Sequence, residues 1–166
     1  YVDNLGVFAL RQKQVENVME DLECLFSGGG LALHERSVGT DRQESLGTSL
    51  DFRRQVTALT TKRFWRLYKS ISAVLRRKKL SGVCLGIVVG HCTFCALVDR
   101  RLLSLLHAVY QFIQSNYSRA APMWRSVRFE RQCFRDLMIY LISPWRLPWS
   151  PVVTATDSSL SGFGAT

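Results

Sequence analysis

The chain has 166 residues, 47% of them hydrophobic, and a formal net charge of +9. That balance excludes a disordered chain. The longest apolar run, Val83–Val98, is shorter than the roughly 20 residues a membrane-crossing helix needs, and His91 and Thr93 interrupt it. A surplus of this sign favours a polyanionic partner through steering and counterion release.

Residues 1–10, YVDNLGVFAL, predict two short strands about a turn, with Asp3, Asn4 and Gly6 supplying the turn chemistry. From Arg11 to Phe26 the period is helical, with Val15, Val18, Met19, Leu22, Leu25 and Phe26 on one face. Gly28, Gly29 and Gly30 end it. Between Leu31 and Phe52 the period falls to two, which predicts a strand pair with Gly39–Ser45 as its connecting loop. Beyond Thr60 the chain becomes helical, with Phe64, Tyr68, Ile71 and Leu75 sharing a face. Ser81 is a candidate N-cap for a helix from about Gly82 to Val98. Further helices are expected over Arg100–Asn116 and Val127–Ile142, giving a bundle. Pro144, Pro148 and Pro151 then predict a stiff linker, followed by a strand over 152–157 and a turn over Ser158–Gly164.

Chemistry-bearing residues fall into three groups. Between Asp51 and Asp99 there is no carboxylate, while the same stretch holds ten cations. Phe64, Trp65 and Tyr68 are interleaved with them. A one-signed helix repels itself unless a partner neutralises it, and a nucleic-acid backbone does so. Lys62, Arg63, Arg66, Lys69, Arg76, Arg77, Lys78 and Lys79 are therefore the candidate backbone contacts, the alternative being a solvated basic face over an aromatic core. Cys92 and Cys95 beside His91 make only half of a zinc pattern, and their apolar flanks suit cysteine acting as a small hydrophobe, so no zinc is expected. The five cysteines, odd in number and without a disulfide-framework spacing, point to reduced thiols in an intracellular protein.

Several segments resemble a known family in order and spacing. Tyr1-Val2-Asp3-Asn4 resembles the Tyr-x-Asp-Asp box of reverse transcriptases, with Asn4 in place of the second carboxylate. Gly30-Leu31-Ala32-Leu33-His34-Glu35 resembles that family's Gly-Leu-x-x-His-Glu stretch, and Leu46-Gly47 its Leu-Gly strand. Lys62–Arg77 resembles the first thumb helix, and Val88–Phe94 the Leu-x-Gly-x-x-x-Phe pattern of the next. Ala155–Ala165, containing Thr156-Asp157-Ser158-Ser159 and Gly162-Phe163-Gly164-Ala165, resembles the start of an RNase H domain. The flavour is that of LTR- and DIRS-like retroelements.

The resemblance implies an α+β, mainly helical chain that is a piece of a longer RNA-directed DNA polymerase. Residues 1–52 would be a palm remnant, 53–143 a helical thumb and connection, 144–151 a linker and 152–166 the first strand of an RNase H-like domain. Asp3, with Tyr1 and Asn4, would belong to the polymerase metal site, and Asp157 would be the first RNase H carboxylate. Both would bind Mg²⁺ or Mn²⁺ only in the complete enzyme, where hard oxygen ligands hold the metals of nucleotidyl transfer. The expected partner is an RNA–DNA or DNA primer–template duplex, with dNTP bound only by the full enzyme and no membrane involved. The fingers and an earlier palm carboxylate would precede residue 1, so this chain is expected not to polymerise alone. Two alternatives stand beside this reading: a non-catalytic basic nucleic-acid-binding module, and a helical interaction protein with an incidental basic face.

Overall fold

A computed structural model of the chain describes residues 5–31, 36–148, 156–159 and 162–165. The fold is α+β and mainly helical. Its first element, α1 (Gln12–Gly28), has no side-chain N-cap and no buried residue. Its end is well defined: Gly30 takes a left-handed φ of +73°, Leu31 N–H donates to the Phe26 carbonyl at 2.8 Å, and Gly30 N–H to that of Ser27 at 3.1 Å. This Schellman closure satisfies the helix's last carbonyls and needs glycine at the left-handed position.

A small sheet follows. Strands β1 (Arg42–Ser45), β2 (Thr48–Asp51) and β3 (Val56–Leu59) form an antiparallel meander, and β6 (Ile142–Pro144) joins β3, giving the order β1-β2-β3-β6. The β1–β2 turn is Leu46-Gly47, with φ of +51° and +77°. Two left-handed residues make the two-residue turn whose twist matches the flanking strands. The connection expected at Gly39–Ser45 is thus corrected: β1 occupies part of it, and the reversal comes later. Leucine is a poor left-handed residue, so local sequence chemistry does not announce this turn. Tertiary bonds hold it: Arg63 Nη1 donates to the Leu46 carbonyl at 3.0 Å, and Thr60 N–H to that of Gly47 at 3.2 Å.

The Pro-rich segment also differs from its expected role as a free linker. Pro144 pairs with Val56 on an edge strand, where its missing N–H costs no ladder bond. Trp145 Nε1 donates to Thr57 Oγ1 at 2.8 Å, and its ring meets Phe52 edge-on at 5.6 Å. The expected boundaries at 52/53 and 143/144 therefore fall within one sheet. Residues 5–10 form no strand, and residues 1–4 lie outside the described residues. A lone hairpin is marginal without a further strand to pair with.

The helical part holds the core. Helices α2 (Thr61–Leu75), α3 (Gly82–Ala96), α4 (His107–Ser115) and α5 (Arg125–Leu137) pack around Ile71, Leu85, Val89, Leu106, Val109, Phe112, Val127 and Phe134. Ser81 caps α3 as expected, accepting from Cys84 N–H at 3.4 Å. The helix predicted over 100–116 opens instead as a 3-10 run, Arg100–Leu106, started by Asp99. The α4 helix begins with no cap of its own. Glu130, on α5, supplies one: its two carboxylate oxygens accept from Ala108 and Val109 N–H, each at 2.9 Å. This satisfies orphan donors and places a negative charge at the positive end of the helix dipole. A short ladder between β4 (Lys79–Leu80) and β5 (Ala121–Pro122) ties the α2–α3 link to the α4–α5 link. Gly82 closes the same corner: a Cβ there would lie 2.5 Å from the Ile113 carbonyl oxygen. The helix predicted to run to Ile142 ends earlier, with 3-10 residues Met138–Tyr140 leading into β6.

One polar side chain is out of keeping with this core. Arg131 is 1% exposed, and its Nε, Nη1 and Nη2 have no hydrogen-bond partner among the described residues. Burial pulls its guanidinium below its usual pKa, with Cys92 beside it as the opposing influence.

Strands β7 (Thr156–Ser159) and β8 (Gly162–Ala165) pair antiparallel, Asp157 opposite Gly164. Ser158 and Gly162–Gly164, expected in a turn, are strand residues, and the predicted strand positions 152–155 lie outside the described residues.

Candidate nucleic-acid interface

The N-terminal half of α2 is fixed at three points. Thr60, 7% exposed, caps the helix by accepting from Arg63 N–H at 3.3 Å. Leu67, Ile71 and Val74 anchor one face in the core. Arg63 makes the third point: besides its bond to Leu46, its guanidinium carbon sits 4.1 Å from the centre of the Phe94 ring of α3. Its seat exists because residue 47 is glycine, where a Cβ would lie 2.6 Å from Arg63 Nε. Arg63 is thus half-buried and preorganised, while Lys62, Arg66 and Lys69 are exposed.

Lys62, Arg63 and Arg66 come together at one cavity of about 280 Å³, lined also by Gly47, Thr60, Leu67, Ser70, His91 and Cys95. Among the described residues no carboxylate lines it. Lys69 stands on the next turn of α2, outside that lining. Arg76, Arg77, Lys78 and Lys79 form a second exposed group at the far end of α2, about 20 Å from Lys62 at 1.5 Å per residue. There Arg128 of α5 donates to the carbonyls of Leu75 and, at 3.3 Å, Arg77, closing the helix end. Cations suit this C-terminal end, where the helix dipole is negative.

The ion pairs draw on five other arginines; Arg11, Arg54, Arg100, Arg119, Arg125 and Arg146 also lie outside every pair among the described residues. Among the described residues the pairs are Arg36–Glu23, Arg42–Asp51, Arg53–Asp41, Arg101–Asp99 and Arg135–Asp136. None of the eight belongs to them. The Arg54 backbone N–H, followed by Arg42, holds Asp51 below the usual carboxylate range, and hydrogen bonds from Arg101 do the same for Asp99. The carboxylates flanking the basic stretch are therefore engaged with arginines outside the candidate set.

Trp65 lies between these cations, 51% exposed, and is braced edge-on by Phe64 at 5.3 Å and Tyr68 at 5.6 Å. A rigid exposed indole amid unpaired cations can stack on a base or sugar while the cations meet phosphates.

Cys92 and Cys95 face the core, and burial pushes the Cys92 thiol up to about 12 and raises that of Cys95. His91 is exposed on the outer side and lines the basic cavity. Among the described residues no group of three or more His, Cys, Asp or Glu side chains converges. Asp3, with Tyr1 and Asn4, lies outside the described residues, and Asp157 is described only as a strand position. The two carboxylates expected to hold metal, Asp3 and Asp157, are thus not placed relative to the basic face. Sequence reasoning missed Thr60, Ser70, His91 and Gly47 as parts of this site. Only Ser70 could have been found by period, one turn beyond Arg66.

No helix among the described residues is long and apolar enough to cross a membrane. Compared with family models, curated proteins and solved structures, the chain matches none.

Proposed function

We propose that this chain is the thumb-bearing part of a reverse-transcriptase-type polymerase, acting inside the cell, and that it holds a primer–template duplex along α2. The observation that carries this reading is the set of eight cations on α2 and its C-terminal flank, exposed or preorganised and outside every ion pair among the described residues. Cations left without acidic partners lose little on meeting phosphates, and each phosphate they neutralise releases counterions. Binding of this kind fixes position and carries no sequence readout, as a polymerase requires of its duplex. The motif order supports the finer architecture: palm remnant, thumb, then the start of an RNase H-like domain over β7 and β8.

In the complete enzyme Asp3 and Asp157 would each lend a carboxylate to a Mg²⁺ or Mn²⁺ site. Their oxygen donors are of the right kind for such ions, but one carboxylate per site is too few to hold a metal that takes about six ligands. The chain therefore contributes duplex binding, and nucleotide addition needs the carboxylates and dNTP-holding parts of a larger protein.

Fluorescence anisotropy of the chain with a labelled RNA–DNA duplex, over a salt series with and without Mg²⁺, tests this. Without Mg²⁺, log affinity should fall linearly with log salt, at a slope of about −0.9 for each phosphate neutralised, and Mg²⁺ should not be required for binding. Absence of low-salt binding by a folded chain would overturn the reading.

A further inference from the structure

We infer that the cavity at the foot of α2, where three of the eight cations meet, is a dedicated site for one phosphoryl group. The inference takes its partner from the duplex-binding reading, but its chemistry stands on the cavity itself. Lys62, Arg63 and Arg66 bring three positive charges to a wall that holds no carboxylate among the described residues. Ser70 and His91 add polar groups from the next turn of α2 and from α3. Cations at Arg76–Lys79 meet solvent from an exposed face, whereas a group in the cavity is flanked by α2, α3 and the β1–β2 turn and open to solvent on the remaining side.

Arg63 shows that the site is built in advance. With Nη1 held by the Leu46 carbonyl and its face against Phe94, the guanidinium cannot sweep through rotamers. Its planar fork retains free N–H groups for a tetrahedral oxyanion. Ordering already completed in the free protein removes a cost from binding. Size sets the ligand class: about 280 Å³ lies just below the roughly 300–1,000 Å³ typical of ligand pockets, which suits a group as small as a phosphate with its sugar. The phosphate could be a strand-terminal monoester or a bridging diester.

The test uses the full chain, with circular dichroism confirming the fold of each variant. Inorganic phosphate is titrated calorimetrically against chloride at matched ionic strength. The wild type should bind phosphate in preference to chloride. Ser70→Asp, which puts a carboxylate in the cavity, should weaken phosphate binding on the order of tenfold or more, and Arg66→Ala about tenfold, the size of one charge-assisted hydrogen bond. His91→Gln, at an exposed position, should cost a few-fold without risk to folding. Arg119→Ala, at an exposed cation outside the cavity and outside the candidate set, should leave phosphate binding as it is in the wild type. No preference over chloride, or variants that bind as the wild type does, would overturn the inference. Duplexes with 5′-phosphate and 5′-hydroxyl ends identify the source: a gain from the phosphate that Ser70→Asp abolishes assigns a terminal monoester. Equal affinities that Ser70→Asp lowers alike assign a bridging diester. Phosphate binding without duplex binding would sink the thumb reading and leave this site standing; duplex binding indifferent to the cavity variants would do the reverse.

Discussion

Helices α1 and α2 are of similar length, 17 and 15 residues, and both are amphipathic, yet they have opposite relations to the rest of the molecule. The α2 helix buries Leu67, Ile71 and Val74, is capped by Thr60 and carries four cations and no acid. The α1 helix buries nothing, lacks a side-chain cap and carries Glu16, Glu20, Asp21 and Glu23 against Lys13. Its apolar stripe is real, but no other described element covers it. Amphipathic period identifies a face that wants burial; it does not say what buries it. Most helix stability in proteins comes from that packing.

The comparison breaks most sharply at matched phenylalanines. Phe112 is fully buried in the core against Trp124, and Phe112→Ala should destabilise the fold by about 3–5 kcal/mol. Phe26→Ala, at a half-buried position on α1, should cost less than about 1 kcal/mol in the same urea titration. Equal destabilisation would mean that α1 belongs to the core after all.

Alkaline titration probes the bundle alone. The Cys92 thiol stands at about 12 in the folded chain against an ordinary 9.0, raised by burial. A folded value above the unfolded one means full stability below pH 9, declining progressively between pH 9 and 12, by as much as about 4 kcal/mol at 1.36 kcal/mol per unit. Cys92→Ala should flatten that decline in thermal melts; an unchanged decline would show that other groups cause it.

Glu130→Gln should cost about 1–3 kcal/mol, because one carboxylate oxygen that accepts an α4 N–H becomes an amide donor. Hydrogen exchange should then rise in α4 and stay as it was in α1. The smallest expected effect is at Arg131. An unpartnered buried guanidinium stabilises little, so Arg131→Met should leave the denaturation midpoint unchanged or raise it. A destabilisation above about 3 kcal/mol would mean that a hidden partner satisfies the charge.

These contrasts also explain what could be read from the sequence. Helix α2 was legible because Phe64, Tyr68, Ile71 and Leu75 recur at helical period, and α3 because Ser81 marks its start. The basic face was legible because charge needs no partner to be seen. Strand β3 and the pairing of Pro144 were not, because Val56–Leu59 is only four residues long and its partner strand lies far along the chain, at Ile142–Pro144. The β1–β2 turn hid behind Leu46, whose left-handed backbone is held by Arg63. The cavity was half legible: Lys62, Arg63 and Arg66 are a sequence pattern, whereas His91 joins them only when α3 packs beside α2.

On the proposed reading the unpaired cations of α2 and its C-terminal flank bind nucleic acid, and the ion-paired arginines do not. The most direct measurement compares salt slopes of duplex binding for two triple variants. Lys62→Ala/Arg66→Ala/Lys69→Ala should flatten the slope by about 0.9 for each phosphate no longer neutralised, up to about 2.7 in all. Arg36→Ala/Arg53→Ala/Arg101→Ala removes arginines held by Glu23, Asp41 and Asp99, and should leave the slope unchanged. Equal flattening by both triples would show that binding follows net charge alone, and would contradict an interface on α2.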